Sequence, residues 1–519
     1  MSHDCTGNAL TAGLPDASCT HPARAGSREW LGLAVLALPT LLLGLDATLL
    51  YLALPALAAD LAPSSTQALW IMDIYGFMIA GLLITMGTLG DRIGRRKLLM
   101  IGGAAFGGAS LLAACASSAE MLIFARAALG VAGATLMPST LALISNMFSD
   151  TRQRAQAIGI WATMFALGMA VGPLVGGVLL EHFGWGAAFL LALPVVALLL
   201  VCAPLLLPEY RSPHGGRFDL LSVALSLAAI LPSVYGLKDV AKHGLQSDAL
   251  LSLSVGLVFS AMFIHRQRRL SVPFLDLSLF ANRAFSAALV VLLTGLVAVG
   301  GAMLLATQYL QLVLGLSPLA AGMWMAPSAL TMVVTGISAP LLARRIRPGF
   351  VVACALALSA LGYLLLAQVH HVPGVGLVVG GFALIYLGLG TIAALGTELV
   401  VAAAPAEKAG AASAMSEMVQ ELGVALGVAV LGSLATTLYR GRIQEHIPSA
   451  LPEDAAQAIG NGLWIAPSLM VHIPEQLLEQ ARTTFTFGLS VAATASALAI
   501  LTLAILAALA LRHVASIGE

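Results

Sequence analysis

Four acidic side chains within long apolar stretches of the sequence are the residues best suited to chemistry; Glu398 also lies in such a stretch, but near its inner end, where it is expected to be interfacial. Glu417 and Glu421 fall inside the apolar run 410–439. Asp46 and Asp73 interrupt two earlier runs. An acidic side chain at the centre of a bilayer costs at least ~2.5 kcal/mol, so such residues normally face a helix-bundle interior or a wet cavity. The pattern therefore predicts a proton-binding or cation-binding site inside a membrane.

The two glutamates are expected to influence each other. In a helix, Glu417 and Glu421 lie one turn apart on one face, so their charged forms repel each other. Burial also disfavours the charged forms, so at least one of the two is expected to hold its proton near neutral pH as part of a coupled pair. Contact of Glu417 with water at the inner end of its span is an alternative.

The composition places these acids in a membrane protein. Of the 519 residues, 59% are hydrophobic and 10% are charged, against about 45–50% apolar and about 25% charged residues in soluble domains. The net charge is zero, so it gives no indication of a nucleic-acid partner. The five cysteines are odd in number and scattered, which predicts neither a disulfide framework nor a metal site.

Fourteen apolar segments are long enough to cross a bilayer, and they position the four acids. They cover residues 31–53, 68–89, 98–117, 120–143, 155–180, 185–207, 218–237, 246–265, 284–310, 318–343, 349–368, 374–403, 410–439 and 484–511. With the N-terminus in the cytoplasm, 19 of the 25 Lys and Arg residues fall on the cytoplasmic side, 5 on the outer side and Arg126 within the fourth span. The positive-inside rule therefore supports the number of spans and places both termini in the cytoplasm.

The most specific string in the chain is the connection after the second span, GTLGDRIGRRK at 87–97. Its glycines permit tight turns and close helix contacts, its aspartate can accept hydrogen bonds, and its arginines remain at the membrane surface. The order of the residues resembles the signature loop of the major facilitator superfamily. The resemblance implies a cytoplasmic latch that makes and breaks as two halves of the protein rock. Its members are Gly87, Gly90, Asp91, Arg92, Gly94, Arg95 and Arg96.

Arg126 and a glycine stripe extend the resemblance. Arg126 lies inside the fourth span, where an unpaired guanidinium is costly, so it requires a carboxylate or carbonyl partner. It resembles the intramembrane arginine that the family uses in proton handling; a purely structural neutraliser is the alternative. In the fifth span, small residues at every fourth position and a proline resemble the antiporter signature, although a generic packing stripe looks similar. These residues are Gly168, Gly172, Pro173, Gly176 and Gly177.

The wider pattern is similar to the fourteen-span drug:proton antiporters, and above all to the methyl viologen resistance exporters. The strings that carry this resemblance are Asp46–Thr48, Trp70–Tyr75, Trp185–Leu190 and Ala404–Ala409. The resemblance covers residues 30–512. It implies an all-α membrane protein with the major facilitator fold, in which two six-helix bundles are joined by two inserted helices.

The resemblance also divides the chain. The expected parts are a disordered cytoplasmic tail at 1–27, a first six-helix bundle at 28–208, a linker with the seventh and eighth spans at 209–283, a second bundle at 284–512 and a cytoplasmic tail at 513–519. The second bundle contains an outer loop at 440–482, in which short amphipathic helices are expected after Pro452 and Pro474. This loop is either a lid or a passive connection.

These features predict a proton-coupled multidrug efflux transporter in a bacterial cytoplasmic membrane. Its expected substrates are lipophilic cations such as quaternary ammonium antiseptics, dyes and methyl viologen. Asp46 and Glu421 are expected to bind the proton and the cation, with Glu417 as an auxiliary acid. Asp73 is expected to recruit cations near the outer mouth, or else only to hydrogen-bond the end of its helix. Export of an endogenous metabolite and proton-coupled uptake are the alternative functions.

Six aromatic side chains are candidates for stacking on a flat cation, with ordinary packing as the alternative for each. They are Tyr75, Trp161, Phe165, Tyr309, Trp324 and Tyr386. The sequence contains no Walker loop, nucleophile elbow or zinc-protease motif, so we expect neither an enzyme nor ATP as the energy source. No cofactor or metal is expected. The expected partners are protons, small cations and lipid, and the protein is expected to be monomeric.

Overall fold

A computed structural model describes residues 25–211, 219–244, 246–270, 273, 275–405, 408–465 and 467–510. Within these residues, fourteen helices are long and apolar enough to cross a membrane. In hydrocarbon every backbone donor and acceptor needs a partner, and a helix satisfies them within one segment. The predicted tail at 513–519 lies outside the described residues, as does the tail at 1–27 up to residue 24.

We number the fourteen spanning helices in chain order. They are α1 (Ser27–Leu61), α2 (Ser65–Ile93), α3 (Arg95–Ala114), α4 (Ala119–Met147), α5 (Thr151–Phe183), α6 (Ala192–Leu206), α7 (Leu220–His243), α8 (Ser247–Arg269), α9 (Arg283–Gln308), α10 (Pro318–Ala343), α11 (Pro348–Ala367), α12 (Val375–Ala402), α13 (Ala409–Ile443) and α14 (Glu475–Ala510). The predicted number and order of spans are confirmed. A short helical piece, Ala187–Leu190, precedes α6, and the two together form the sixth span, Ala187–Leu206. Helix α9 continues as a π-helical turn at Tyr309–Val313.

Short polar side chains fix where several of these helices begin. Ser64 precedes α2, and its hydroxyl accepts a hydrogen bond from the backbone N–H of Gln67 at 3.2 Å. Ser118 and Asp150 cap α4 and α5 in the same way. Such side chains satisfy backbone donors that have no partner in the first helical turn. Local sequence therefore sets where α2, α4 and α5 begin.

The two halves of the chain repeat one packing pattern. In the first half, α1 packs against α5, and α4 packs against α2 and α3. In the second half, α9 packs against α13, and α12 packs against α10 and α11. The repeat produces two six-helix bundles, and α7 and α8 form a separate inserted hairpin. The fold class predicted from the resemblance is therefore confirmed.

The bundles meet along two seams. At the α5/α10 seam, the backbone of Gly177 lies against Leu319, and that of Gly322 lies against Pro173. At the α2/α13 seam, Gly76 lies against Ala425. A Cβ atom added to Gly177 would come within 2.7 Å of the Cα atom of Leu319. Small residues thus bring helices from different bundles into backbone contact at both seams.

The inserted hairpin packs on the α2/α13 seam. Its two helices contact each other closely, and α7 also contacts α2 and α13. Val234 of α7 lies in an apolar cluster with Phe77 of α2 and with Ala425 and Ala429 of α13. Most of α8 is exposed on the outside of the protein. Of the two inserted helices, α7 is therefore the one placed to act on the seam.

The connection predicted as the loop 440–482 contains more helix than expected. A short helix at Glu453–Asn461 confirms the one expected after Pro452. The short helix expected after Pro474 is wrong, because the chain after this proline is the beginning of the 36-residue helix α14. No glycine or proline interrupts the sequence between Glu475 and the apolar run, so the helix continues into the span.

Candidate functional site

A small cavity lies where α1, α2 and α4 of the first bundle meet α13 of the second. Its polar and aromatic lining residues are Asp46, Asp73, Glu421, Arg126, Tyr51 and Tyr75. Aliphatic side chains such as Leu50 and Val424 complete the wall. The structure thus brings three of the four predicted acids, and the intramembrane arginine, to one place.

Arg126 pairs with Asp46. Its Nη1 atom donates to Oδ2 of Asp46 at 2.8 Å, and its Nε atom donates to the carbonyl oxygen of Ile71 at 3.2 Å. The guanidinium lies over the ring of Tyr75, with 4.5 Å from Cζ to the ring centroid. The arginine side chain is 3% exposed and that of Asp46 is 15% exposed. The required partner of Arg126 is therefore both a carboxylate and a carbonyl.

Asp73 pairs with a lysine that the sequence-based site did not contain. The ammonium of Lys238, on α7, lies 2.9 Å from Oδ1 and 2.8 Å from Oδ2 of Asp73. Both side chains are 0% exposed. The expectation that Asp73 acts as a recruiting charge near the outer mouth does not match this position, because a buried and paired carboxylate presents little charge to an approaching ion.

Glu417 and Glu421 differ from the two aspartates. Both are partly buried and lie one turn apart on α13. Among the described residues, neither side chain has a hydrogen-bond or ion-pair partner. Glu421 lines the cavity, whereas Glu417 does not. Of the four predicted acids, Glu421 is therefore the one that faces the cavity without a counter-charge.

The glycine stripe of α5 positions Asp46. Gly168 lies against the backbone of Gly44, Gly172 against Thr48 and Gly176 against Leu49, all on α1. These contacts flank Asp46 on both sides, so the close approach of α5 holds the acid-bearing turn of α1. The next residue of the stripe, Gly177, faces α10 instead, and Pro173 offers its carbonyl oxygen to the same helix. The stripe therefore packs α5 against two helices at once.

The loop at 87–97 binds to the segment that follows α6. Nη2 of Arg95 lies 2.6 Å from Oδ1 of Asp91. Arg96 donates from Nη1 to the carbonyl oxygen of Leu207 at 2.9 Å and from its backbone N–H to Oε1 of Glu209 at 3.1 Å. In this conformation the predicted latch therefore fastens the first bundle to its own linker.

Three glycines of the loop determine its backbone conformation and packing, and a fourth residue, Arg92, is exposed. Gly94 has φ of 112°, a conformation that side chains other than glycine rarely adopt, and the Glu209 carboxylate fills the place of its missing side chain. Gly90 lies against the Arg95 side chain, and Gly87 lies near Pro138 of α4. The latch role of these residues stays a prediction.

The structure does not gather the six aromatic candidates into one pocket. Tyr75 lines the cavity, together with Tyr51, which sequence reasoning missed. The five that do not line it are Trp161, Phe165, Tyr309, Trp324 and Tyr386. Trp161 is buried and donates from Nε1 to the hydroxyl of Thr140 at 3.0 Å, whereas Trp324 is 48% exposed. For these five, the expectation of a shared cation pocket is not met in this conformation.

Lys238 and Trp70 are the other residues that sequence reasoning missed. The predicted seventh span ends at residue 237, which places Lys238 among the basic residues of the outer side, but α7 continues to His243. The spacing of Trp70 and Asp73 could have indicated that the two side chains lie side by side, since residues three apart are neighbours on a helix surface. No sequence pattern could have indicated that Lys238 of α7 pairs with Asp73, because the two residues are 165 positions apart.

Comparisons with known proteins agree with this architecture. The family model of the Major Facilitator Superfamily matches residues 36–428. The multidrug efflux pump LfrA of Mycolicibacterium smegmatis is 43% identical over 494 residues, which cover 94% of this chain and 98% of that protein. The methyl viologen resistance protein SmvA of Salmonella typhimurium is 35% identical over 486 residues, which cover 92% of this chain and 97% of that protein.

A solved structure is similar in fold. A bacterial homologue of the human lysosomal transporter Spinster, in an inward-facing and unoccupied conformation, has a TM-score of 0.65 at 16% identity, over 94% of this chain and 98% of that one. At this identity the likeness concerns the fold alone. The family match covers well over half of the chain, and both sequence relatives are matched along almost their whole length. The chain therefore belongs to the major facilitator superfamily, in its fourteen-span drug:proton antiporter branch.

Proposed function

We propose that this protein exports lipophilic cations from the cytoplasm in exchange for protons. The charge balance of the cavity carries the proposal: Asp46 and Asp73 are each paired with a base, whereas Glu421 has no partner among the described residues. An unpaired carboxyl group in such a place favours binding of either a proton or a cation. The names of the two relatives, a multidrug efflux pump and a methyl viologen resistance protein, support cargo of the same class.

Competition at Glu421 couples the two fluxes. When the cavity faces outward, a proton binds Glu421, removes its charge and releases the cation. When the cavity faces inward, the proton leaves and the restored carboxylate binds the next cation. A proton and a monovalent cation neutralise the same charge, so they exclude each other. Glu417, one turn nearer the cytoplasmic end of α13, is the auxiliary acid on the inner path of the proton.

Asp46 supplies a second protonation step. In its charged form it holds Arg126 at 2.8 Å, and Arg126 in turn holds the carbonyl of Ile71 on α2. Protonation of Asp46 weakens this ion pair and frees the guanidinium. Because the pair joins α1 and α4 beside the α2/α13 seam, its loss changes the contacts that hold the seam. Asp46 thus links proton binding to the movement of helices.

The orientation and the conformational state follow from charge and packing. We place the loop at 87–97 and both termini in the cytoplasm, as the positive-inside rule predicts. The contacts of Gly177 and Gly322 lie at the other end of α5 and α10, whereas Gly159, nearer the cytoplasmic end of α5, has open space beside it. This difference supports an inward-open state for the conformation described above.

The whole molecule is expected to work as a rocking transporter driven by the proton gradient. The two bundles, 28–208 and 284–512, rock as units about the cavity, and 209–283 supplies the inserted hairpin. The connection at 440–482 lies on the periplasmic side. The transporter works as a monomer in a bacterial cytoplasmic membrane. The proton gradient drives it without a cofactor.

Ethidium uptake by everted membrane vesicles tests this function. With an acidic lumen, the parent should accumulate ethidium in the lumen, and an uncoupler should abolish the accumulation. Glu421→Gln removes the site of competition, so we expect its accumulation to fall to that of vesicles without the protein. Asp46→Asn should also lose most of the gradient-driven uptake. Glu398→Gln is the matched control, because Glu398 is an exposed acid on the neighbouring helix α12.

Three results would count against the proposal. Full gradient-dependent pumping by Glu421→Gln would show that this acid is not the shared site. Movement of ethidium in the same direction as the proton would indicate uptake by symport instead of export. Pumping of an endogenous metabolite but of no added cation would favour the metabolite exporter.

A further inference from the structure

Trp70, Asp73 and Lys238 meet where α7 packs against α2. We propose that Trp70 and Asp73 form a binding site for organic ammonium ions, and that Lys238 occupies it as a tethered ligand in the conformation described here. The inference rests on the proposed function, because it assumes that the cargo is a lipophilic cation. It adds a site and a competitor to that function. We call Trp70 and Asp73 the ammonium cage.

The geometry of the cage is that of an ammonium-binding site. The Nζ atom of Lys238 lies 3.8 Å from the centroid of the Trp70 ring and 2.8–2.9 Å from the two carboxylate oxygens of Asp73. The indole is the aromatic ring that attracts cations most strongly, and the attraction grows when water is excluded. Proteins that bind quaternary ammonium ligands use aromatic faces in this way. Here the protein supplies the cation itself.

Stability alone gives little reason for a charged pair at this position. Removing two charges from water costs several kcal/mol per ion, and well-packed apolar residues in their place are often as stable or more stable. The surroundings already offer such packing, since Phe77 and Val234 belong to an apolar cluster at the same seam. The energetic cost of the Lys238–Asp73 pair therefore suggests a role beyond joining α7 to α2.

Asp73 connects the cage to the main cavity. Asp73 is among the residues that line the cavity with Asp46 and Glu421, whereas Trp70 and Lys238 are not. A cation that moves from Glu421 towards the cage therefore reaches a carboxylate that already holds an ammonium. Lys238 is carried by α7, which belongs to neither bundle, so its ammonium can leave the cage when the α2/α13 seam opens. Cargo and Lys238 compete for the same two groups.

The competition has a measurable consequence. Without Lys238, the cage is open to cargo, so cations bind more tightly and leave more slowly. We expect Lys238→Ala to lower the dissociation constant for ethidium about thirtyfold, the size of a desolvated cation–π contact, while gradient-driven pumping slows. Fluorescence anisotropy of ethidium with the purified full-length protein in detergent measures the first effect, and vesicle uptake measures the second.

Double variants locate the effect. The tighter binding of Lys238→Ala should disappear in Trp70→Leu/Lys238→Ala and in Asp73→Asn/Lys238→Ala, because each removes one wall of the cage. Arg268→Ala is the matched control for loss of a positive charge, since Arg268 is exposed on the same hairpin. This control should bind ethidium like the parent. Unchanged binding by folded Lys238→Ala, or tighter binding that survives Trp70→Leu, overturns the inference.

A measurement on the parent covers the case in which Lys238→Ala does not fold. Saturating ethidium should raise the labelling of Lys238 by a small amine-reactive reagent, as followed by mass spectrometry, because displaced Lys238 leaves its fully buried position. Unchanged labelling overturns the inference. Failure of the cage and failure of the proposed function give different results: a parent that does not pump ethidium contradicts the proposed function, whereas a pumping parent with no response at Lys238 contradicts only the cage.

Discussion

The two seams between the bundles are built from equivalent helices but differ in chemistry. In the repeated packing pattern, α5 corresponds to α13 and α2 to α10, so the fold presents the same kind of interface twice. At the α5/α10 seam, Gly177 and Gly322 bring backbones together. At the α2/α13 seam, Gly76 also lies against Ala425, but there Asp73 and Glu421 line a cavity beside the contact. The repeated fold produces two equivalent interfaces, and the amino-acid sequence determines that acidic residues line the cavity at the α2/α13 seam.

The difference separates two tasks that a rocking transporter needs. Backbone contact through glycines is short-ranged and has no charge to satisfy, so it suits a surface about which bundles can pivot. Buried carboxyl groups change their interactions with every proton gained or lost, so they suit the place where chemistry drives the movement. The inserted helix α7 lies on the charged seam and adds Lys238 to it. The following changes, from the largest expected effect to the smallest, test this division.

The largest effect is expected on the charged side. Arg126→Leu leaves Asp46 without its ion-pair partner in a cavity, which should lower the free energy of unfolding by about 3–5 kcal/mol and abolish pumping. Thermal unfolding in detergent and ethidium uptake by vesicles measure the two effects. The double variant Asp46→Asn/Arg126→Leu should regain much of the stability but no pumping. If the double variant is as unstable as the single one, the buried charge is not the cause.

A smaller effect is expected at the apolar seam. In Gly177→Ala, the added Cβ atom meets Leu319 at 2.7 Å, and the overpacking should cost about 1–3 kcal/mol of stability. Gly159→Ala is the matched control on the same helix, since nothing lies within 4 Å of its Cβ position. Thermal unfolding in detergent again measures the difference. Equal stability of the two variants would show that the seam is looser than described.

The smallest effect is expected at an ion pair outside both seams. Nζ of Lys408 lies 2.6 Å from Oδ2 of Asp276, and the hydrogen bond from Lys408 holds the pKa of Asp276 below its ordinary value. Because the folded-state pKa is lowered, the pair stabilises the protein above the ordinary pKa of an aspartate, about 3.9, and this stabilisation is lost as the pH falls through the folded-state pKa.

The corresponding variant is Lys408→Ala. Since the pair is partly exposed, the variant should lose only about 0.2–1 kcal/mol near pH 7, and the difference from the parent should shrink below about pH 4. Unfolding measured between pH 3 and pH 7 in detergent follows this difference. A gap that persists unchanged at the lowest pH would assign the effect to lost packing of the lysine stem.

Much of the fold could be predicted, but less of the site. Asp46, Glu421 and Arg126 stand out in the sequence because a charge inside an apolar run is costly wherever the run folds. The partner of each charge is another matter. Arg126 needed a carboxylate or a carbonyl, and the sequence did not indicate that it takes Asp46 and Ile71 together. Asp73 was expected near the outer mouth because it lies only a few residues inside the outer edge of its span, and its counter-charge comes from a distant helix.

What the sequence by itself determined was the number of spans, the acids that must avoid lipid and the family signature at 87–97. These follow from the length and polarity of single segments, since each helix satisfies its own backbone. Only the tertiary structure decided which acids are neutralised. That choice depends on how helices lie against each other. It joined Asp73 to Lys238 across 165 residues, whereas Glu421 lines the cavity without an ion-pair partner among the described residues. Contacts between residues so far apart in sequence leave no local sequence pattern, because the packing of the whole bundle determines them.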